Sequence, residues 1–191
     1  MRVLLAIFLF LSYTDRVSSQ ETVRMYRPDE LQASDPDTVL GLDLSGMKLD
    51  RVPDSILVFT NLKYLDLSRN KLNTLPEFLD SLKTLETLDI SRNRIDVFPL
   101  VITRLQALKV LKANRNDFDR LPDAIRYNTS LEFIDLWDTP VGIYPDGFYT
   151  LKSLRKVDLS GIRFGPTFQK ALQERMPWVD FVMDEPCDCM E

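Results

Sequence analysis

Leu62 to Thr84 read LKYLDLSRNKLNTLPEFLDSLKT, with leucine at 62, 65, 67, 72, 75, 79 and 82. That spacing suits neither one long helix nor one long strand. Leu65 and Leu67 flank Asp66 with period two, the pattern of a half-buried strand. The pattern breaks at Ser68-Arg69-Asn70-Lys71 and returns through Leu75-Pro76. Copies of the same stretch stand before and after it, so the chain is a stack of one unit.

Val39, Leu62, Leu85, Leu108, Leu131 and Leu154 open successive units at a strict 23-residue period. The fourth positions are Leu42, Leu65, Leu88, Leu111, Ile134 and Val157, and the sixth are Leu44, Leu67, Ile90, Ala113, Leu136 and Leu159. Pro53, Pro76, Pro99, Pro122 and Pro145 keep the period, so most of the unusual excess of proline over glycine is ordered bend chemistry. The apolar side chains of one unit cannot offset the entropy of ordering it, so neighbouring units must complete each other's core.

This unit, LxxLxLSxNxLxxLP followed by a second apolar run, resembles the leucine-rich repeat. Its proline-bearing form is similar to Ras-suppressor and plant Ras-group-related leucine-rich repeat proteins, and to short secreted bacterial members of the family. The resemblance covers residues 39–164 in six copies. It implies an α/β solenoid: a curved right-handed superhelix with a parallel sheet on the concave face and short helical, 3-10 or irregular turns on the convex side. It also implies that asparagine at position nine bonds backbone groups inside the turn. Asn70, Asn93 and Asn116 match. Met47, Thr139 and Ile162 depart; threonine can substitute in part, methionine and isoleucine cannot.

The flanks read as caps that cover the open ends of the stack. Residues 20–38 form the first, with a short helix over 28–33 that has proline at its start and acids in its first turn. Residues 165–183 form the second. Phe168, Ala171, Leu172 and Met176 predict a helix over 167–176 with Thr167 as N-cap. Trp178, Phe181 and Met183 then predict a closing strand over 179–182, the seventh of the sheet. Residues 184–191 read as an acidic tail containing Cys187 and Cys189.

Arg2, the apolar run Val3 to Tyr13 and the small residues near Ser19 read as a secretory signal peptide over residues 1–19, too short to span a bilayer. The predicted location is extracytoplasmic, either extracellular or periplasmic. No later stretch is long and apolar enough for a membrane span. Beyond residue 19 the chain carries 22 basic and 28 acidic side chains, against 24 and 29 in the whole. That acidic balance argues against a nucleic-acid partner. Histidine is absent, which removes the commonest general base and metal ligand. No phosphate-cradling loop, nucleophile elbow, zinc spacing or dinucleotide fingerprint occurs, and no cofactor is predicted.

Function then rests on the outward positions of the strands. Position five carries Asp43, Asp66, Asp89, Lys112, Asp135 and Asp158, a carboxylate column with steps of about 4.8 Å. Position eight carries Gly46, Arg69, Arg92, Arg115, Asp138 and Gly161. The arginine stripe is expected to neutralise the carboxylates and to lower their pKa values, against glycosidase-like use of the column. The departures of the fourth and fifth repeats are more informative. Lys112 and Asn114 replace the usual aspartate and serine, and Trp137 stands where Ser68, Ser91 and Ser160 stand. Aromatic and arginine side chains together are the composition of interface anchors. The predicted partner-binding patch is Lys112, Asn114, Arg115, Phe133, Asp135 and Trp137, flanked by Arg69 and Arg92.

The predicted function is therefore a secreted or periplasmic module that binds another protein with its concave face, without catalysis, as a monomer. The alternative is a structural, adhesion or glycan-binding protein that self-associates through Cys187 and Cys189, which could also form a local disulfide. Asn128-Thr129-Ser130 is a candidate glycosylation sequon, placed where the other repeats carry Phe59, Leu82, Leu105 and Leu151.

Overall fold

The computed structural model describes residues 23–33 and 35–186. The signal segment, Cys187 and Cys189 lie outside the described residues. One parallel sheet runs in chain order: β1 (Met25–Tyr26), β2 (Gly41–Asp43), β3 (Tyr64–Asp66), β4 (Thr87–Asp89), β5 (Val110–Lys112), β6 (Phe133–Asp135), β7 (Lys156–Asp158) and β8 (Asp180–Val182). Equivalent residues pair across it, Leu42 with Leu65, Leu65 with Leu88 and onward to Ile134 with Val157. The last pairing, Val157 with Phe181, closes the stack with one extra residue.

The sequence reading counts seven strands, and the structure adds β1. Met25 pairs with Gly41. A Cβ on Gly41 would lie 2.6 Å from the Met25 sulfur and 2.9 Å from the Arg24 carbonyl oxygen. Tyr64, Thr87, Val110 and Phe133 occupy that position in the next repeats, where no such segment crowds it.

Each repeat leaves the sheet, turns, and returns through a 3-10 turn: Asp54–Val58, Glu77–Ser81, Leu100–Arg104, Asp123–Tyr127 and Phe148–Thr150. The prolines set these turns. Pro53, Pro76, Pro99 and Pro122 hold φ between −71° and −76°, and their carbonyls accept the N–H three residues on. A pre-set φ and a missing N–H suit the residue that precedes a turn. The turns need more width than strands about 4.8 Å apart, so the stack curves with the sheet inside.

Positions one, four and six fill the core: Leu62, Leu85, Leu108, Leu131 and Leu154 are wholly buried, as are Leu88, Leu111, Ile134 and Val157. A polar ladder runs through the same interior. Asn70 accepts the Leu49 N–H at 3.0 Å and donates to the Leu44 and Leu67 carbonyls at 2.9 Å. Asn93 does the same for Leu72, Leu67 and Ile90, and Asn116 for Ile95, Ile90 and Ala113. Each asparagine thus ties its own turn to the preceding repeat, satisfying backbone groups that burial would otherwise orphan.

The departures behave differently from one another. Thr139 donates to Leu136 in its own turn at 2.7 Å and reaches no further. Met47 is left 45% exposed, and the first repeat bends instead through Gly46 and Lys48 at φ +68° and +61°. Ile162 is buried, and the Gly161 N–H beside it is held by the Asp184 carboxylate at 2.8 Å.

The C-terminal helix, α1, spans Pro166–Arg175. Thr167 is not its N-cap: Gly165 takes that place without a side-chain bond, because Pro166 fits the first helical position and needs no donor partner there. Leu172 and Met176 close the core, and Phe164 stacks on Phe168 at 4.6 Å. Among the described residues no helix is long and apolar enough to cross a membrane.

Candidate functional site

The carboxylate column serves the backbone first. Asp43, Asp66, Asp89, Asp135 and Asp158 each accept, through Oδ1, the N–H two residues on, at 2.8 to 3.0 Å. The aspartate therefore shapes the exit from its strand, a local turn that its short side chain suits. The turn delivers position eight into the left-handed region: Arg69, Arg92, Arg115 and Asp138 have φ of 57°, 56°, 53° and 55°. Gly46 and Gly161 at the same register were the signal for this geometry in the sequence.

That backbone overturns the expected electrostatics. The stripe does not hold the column down. Burial raises the Asp66 carboxyl above its ordinary value, with the Asp89 charge adding to it, and burial raises Asp135 likewise. For Asp43 burial also acts upward, but the bonds from the Ser45 side chain and backbone and from Arg27 outweigh it, and the net direction is down. The physical reason is placement: no ion pair joins Arg69 or Arg92 to a carboxylate among the described residues.

The predicted patch is assembled on β5, β6 and the loops that follow them. Lys112 pairs in register with Asp135, and its Nζ lies 4.0 Å from Asp89. Asn114 donates to the second oxygen of Asp135 at 2.7 Å. The Arg115 guanidinium lies 4.3 Å from the Trp137 ring centroid and donates to Asp138 at 3.0 Å. Trp137 is half-buried, and the space beside Gly161 is its neighbour: a Cβ there would sit 3.4 Å from the indole. Phe133 stands at the other end of β6 on the same face. Asn114 is thus bonded to Asp135, and Arg115 to Trp137 and Asp138, while the side chains of Arg69 and Arg92 make no ion pair or side-chain hydrogen bond among the described residues.

Asn128 is fully buried. Its Nδ2 donates to the Ile102 and Leu105 carbonyls at 2.9 and 3.2 Å, while its Oδ1 finds no partner. A glycan on that nitrogen would require the turn to open. Among the described residues no group of three or more Cys, Asp or Glu side chains could hold a metal ion.

Residues 39–176 match a family model described as a leucine-rich repeat region. A solved structure of a leucine-rich repeat protein from Leptospira interrogans is similar, with TM-score 0.57 and 25% identity, over 82% of this chain and 46% of that one. The chain spans about half the length of that structure. No curated protein sequence matches it.

Proposed function

Because the chain belongs to the leucine-rich repeat family, we propose that it is a secreted or periplasmic module that binds another protein on the inner face of its sheet, at repeats four and five. The observation that carries this reading is the Arg115–Trp137 pair. Here a guanidinium is already stacked on an indole and held by Asp138, so less side-chain freedom is lost when a partner covers them. Lys112, Asn114 and Asp135 add polar groups of fixed direction beside it.

Rigid presentation is the mechanism. The backbone ladder fixes the strands, the aspartates fix their exits, and the side chains between them are offered without rearrangement. A sheet of this length, about 30–35 Å by strand spacing, accommodates one small globular partner.

Cross-linked capture of partners by the secreted protein, with an Arg115→Ala, Trp137→Ala double variant as control, tests the reading. Loss of a specific captured protein in the double variant, with its thermal midpoint retained, is the expected result. Identical capture by both forms would remove the patch from consideration.

A further inference from the structure

The loops that leave the sheet carry a second surface, on residues that the periodicity of the core does not require to be basic. Position nine turns inward as Asn70 and Asn93, and positions eight and ten on either side of it are exposed. Over the first three repeats these are Gly46 and five cations: Lys48, Arg69, Lys71, Arg92 and Arg94. Both columns are locked to neighbouring repeats through their backbone. Arg69 and Arg92 donate to the Ser91 and Asn114 carbonyls at 2.8 Å, and Lys71 and Arg94 to the Leu49 and Leu72 carbonyls at 2.7 and 2.9 Å.

Two observations mark this rim. First, none of the five side chains makes an ion pair or a side-chain hydrogen bond among the described residues, in a chain of net charge −5 with acids to offer. Asp50 and Asp96 stand two residues beyond Lys48 and Arg94, and neither closes on them. At the same register one repeat further on, Arg115 is taken up by Asp138 and Trp137. Second, Arg69 and Arg92 hold left-handed backbone, at φ 57° and 56°, where the first and sixth repeats use glycine. A long side chain kept at a conformation that glycine adopts freely points to a role outside the fold.

We propose that this rim docks an acidic segment of a protein partner, an extended stretch that presents carboxylates on one side. Guanidinium groups receive carboxylates in bidentate fashion, and alternate side chains of an extended segment point the same way. The flanks select against a uniform polyanion. Asp43, Asp66 and Asp89 border the rim on the sheet side and Asp50 and Asp96 on the other. A nucleic-acid strand or a heavily sulfated glycan, charged all round, overlaps these acids and is repelled. A peptide with one acidic side and one neutral side lies between them. This surface adjoins the Trp137 patch through the Arg92 N–H bond to the Asn114 carbonyl, but its side chains take no part in the Arg115–Trp137–Asp138 contacts.

The test uses the full secreted chain and a fluorescein-labelled peptide of alternating Glu and Ser, with a Gln-Ser peptide, a sulfated hexasaccharide and single-stranded oligothymidine as comparisons. At low ionic strength the Glu-Ser peptide is expected to bind about tenfold or more tightly than the Gln-Ser peptide, and to weaken as salt rises. Arg69→Gly with Arg92→Gly is expected to cut that binding about tenfold while leaving the thermal midpoint unchanged or higher, since glycine suits φ > 0. If the glycine pair does not fold, Arg69→Gln with Arg92→Gln reads the same loss. Equal affinity for the two peptides, undiminished binding by the folded variants, or tighter binding of the hexasaccharide or oligothymidine would each overturn the proposal.

Discussion

Repeats two and three share a backbone with repeats four and five but use their polar side chains differently. In the first pair, Asn70 and Asn93 bridge to the preceding repeat, Asp66 and Asp89 cap their strand exits, and Arg69 and Arg92 are left outside. In the second pair Lys112 stands where a capping aspartate would, and Thr139 bonds only within its own turn. Backbone pairing takes over that seam: Arg120 bridges Ile143, and the Gly142 N–H donates to the Asp119 carbonyl at 2.9 Å. Beside these departures the outward side chains bond to one another, as Arg115 does with Asp138 and Asn114 with the second oxygen of Asp135, whose first oxygen still accepts the Trp137 N–H. Where the pattern is kept, polar side chains hold the fold; where it is broken, they build a surface.

The largest effect should separate the two asparagine-type positions. Asn93→Ala orphans the buried Leu72 N–H and takes one of two asparagine donors from each of the Leu67 and Ile90 carbonyls, which Asn70 and Asn116 still reach, so chemical denaturation should record a loss of about 2–4 kcal/mol. Thr139→Ala removes one bond and should lose about 1 kcal/mol, and Thr139→Asn should gain about as much by restoring the bridge. Equal losses at 93 and 139 would break the comparison.

The next effect belongs to the outer side of the fifth repeat. Gly147 packs on the fourth repeat so closely that a Cβ would lie 2.2 Å from the Asp123 carbonyl oxygen. Its φ of −58° is ordinary, so the cost of Gly147→Ala is overpacking alone, about 1–3 kcal/mol. A thermal midpoint equal to that of the parent would show that the two repeats separate more easily than their backbone pairing implies.

The smallest effect is one of pH and contrasts the first repeat with the second. Burial holds the folded Asp66 carboxyl above the ordinary aspartate value, so the folded protein holds that proton more tightly than the unfolded chain. The stabilisation is complete below pH 3.8 and is lost as the pH rises through the folded value. Asp66→Asn, which keeps the acceptor for Ser68, should therefore raise the midpoint at neutral pH and not in acid. The folded Asp43 value lies below 3.8, so its contribution is present above the unfolded value and lost as the pH falls through the folded one. Asp43→Asn should accordingly lower the midpoint at neutral pH, with the difference fading in acid. Parallel pH profiles for the two variants would show that burial and pairing do not distinguish the two sites.

Much of the fold was legible because the core is periodic: Leu62, Leu65 and Leu67 recur every 23 residues and all are buried. Strand β1 was not legible, since two residues outside the repeat have no period to betray them; Gly41 was the trace it left. The bonds of Asn114 and Arg115 were not legible either. Each has its partner 21 or 23 residues away, and only the register of β5 on β6 decides which side chains meet.

The sequence by itself determined the stack, its core, its proline turns and the inward asparagines, because each depends on residue type at a fixed spacing. The tertiary structure alone decided which carboxylates rise in pKa and which cations are bound or left open on the rim. Those properties come from distances between neighbouring repeats and from burial that the whole stack creates. A cation three residues from an aspartate along the chain, as Arg69 is from Asp66, can be turned away from it, and one a full repeat away, as Arg115 is from Asp138, can be its partner.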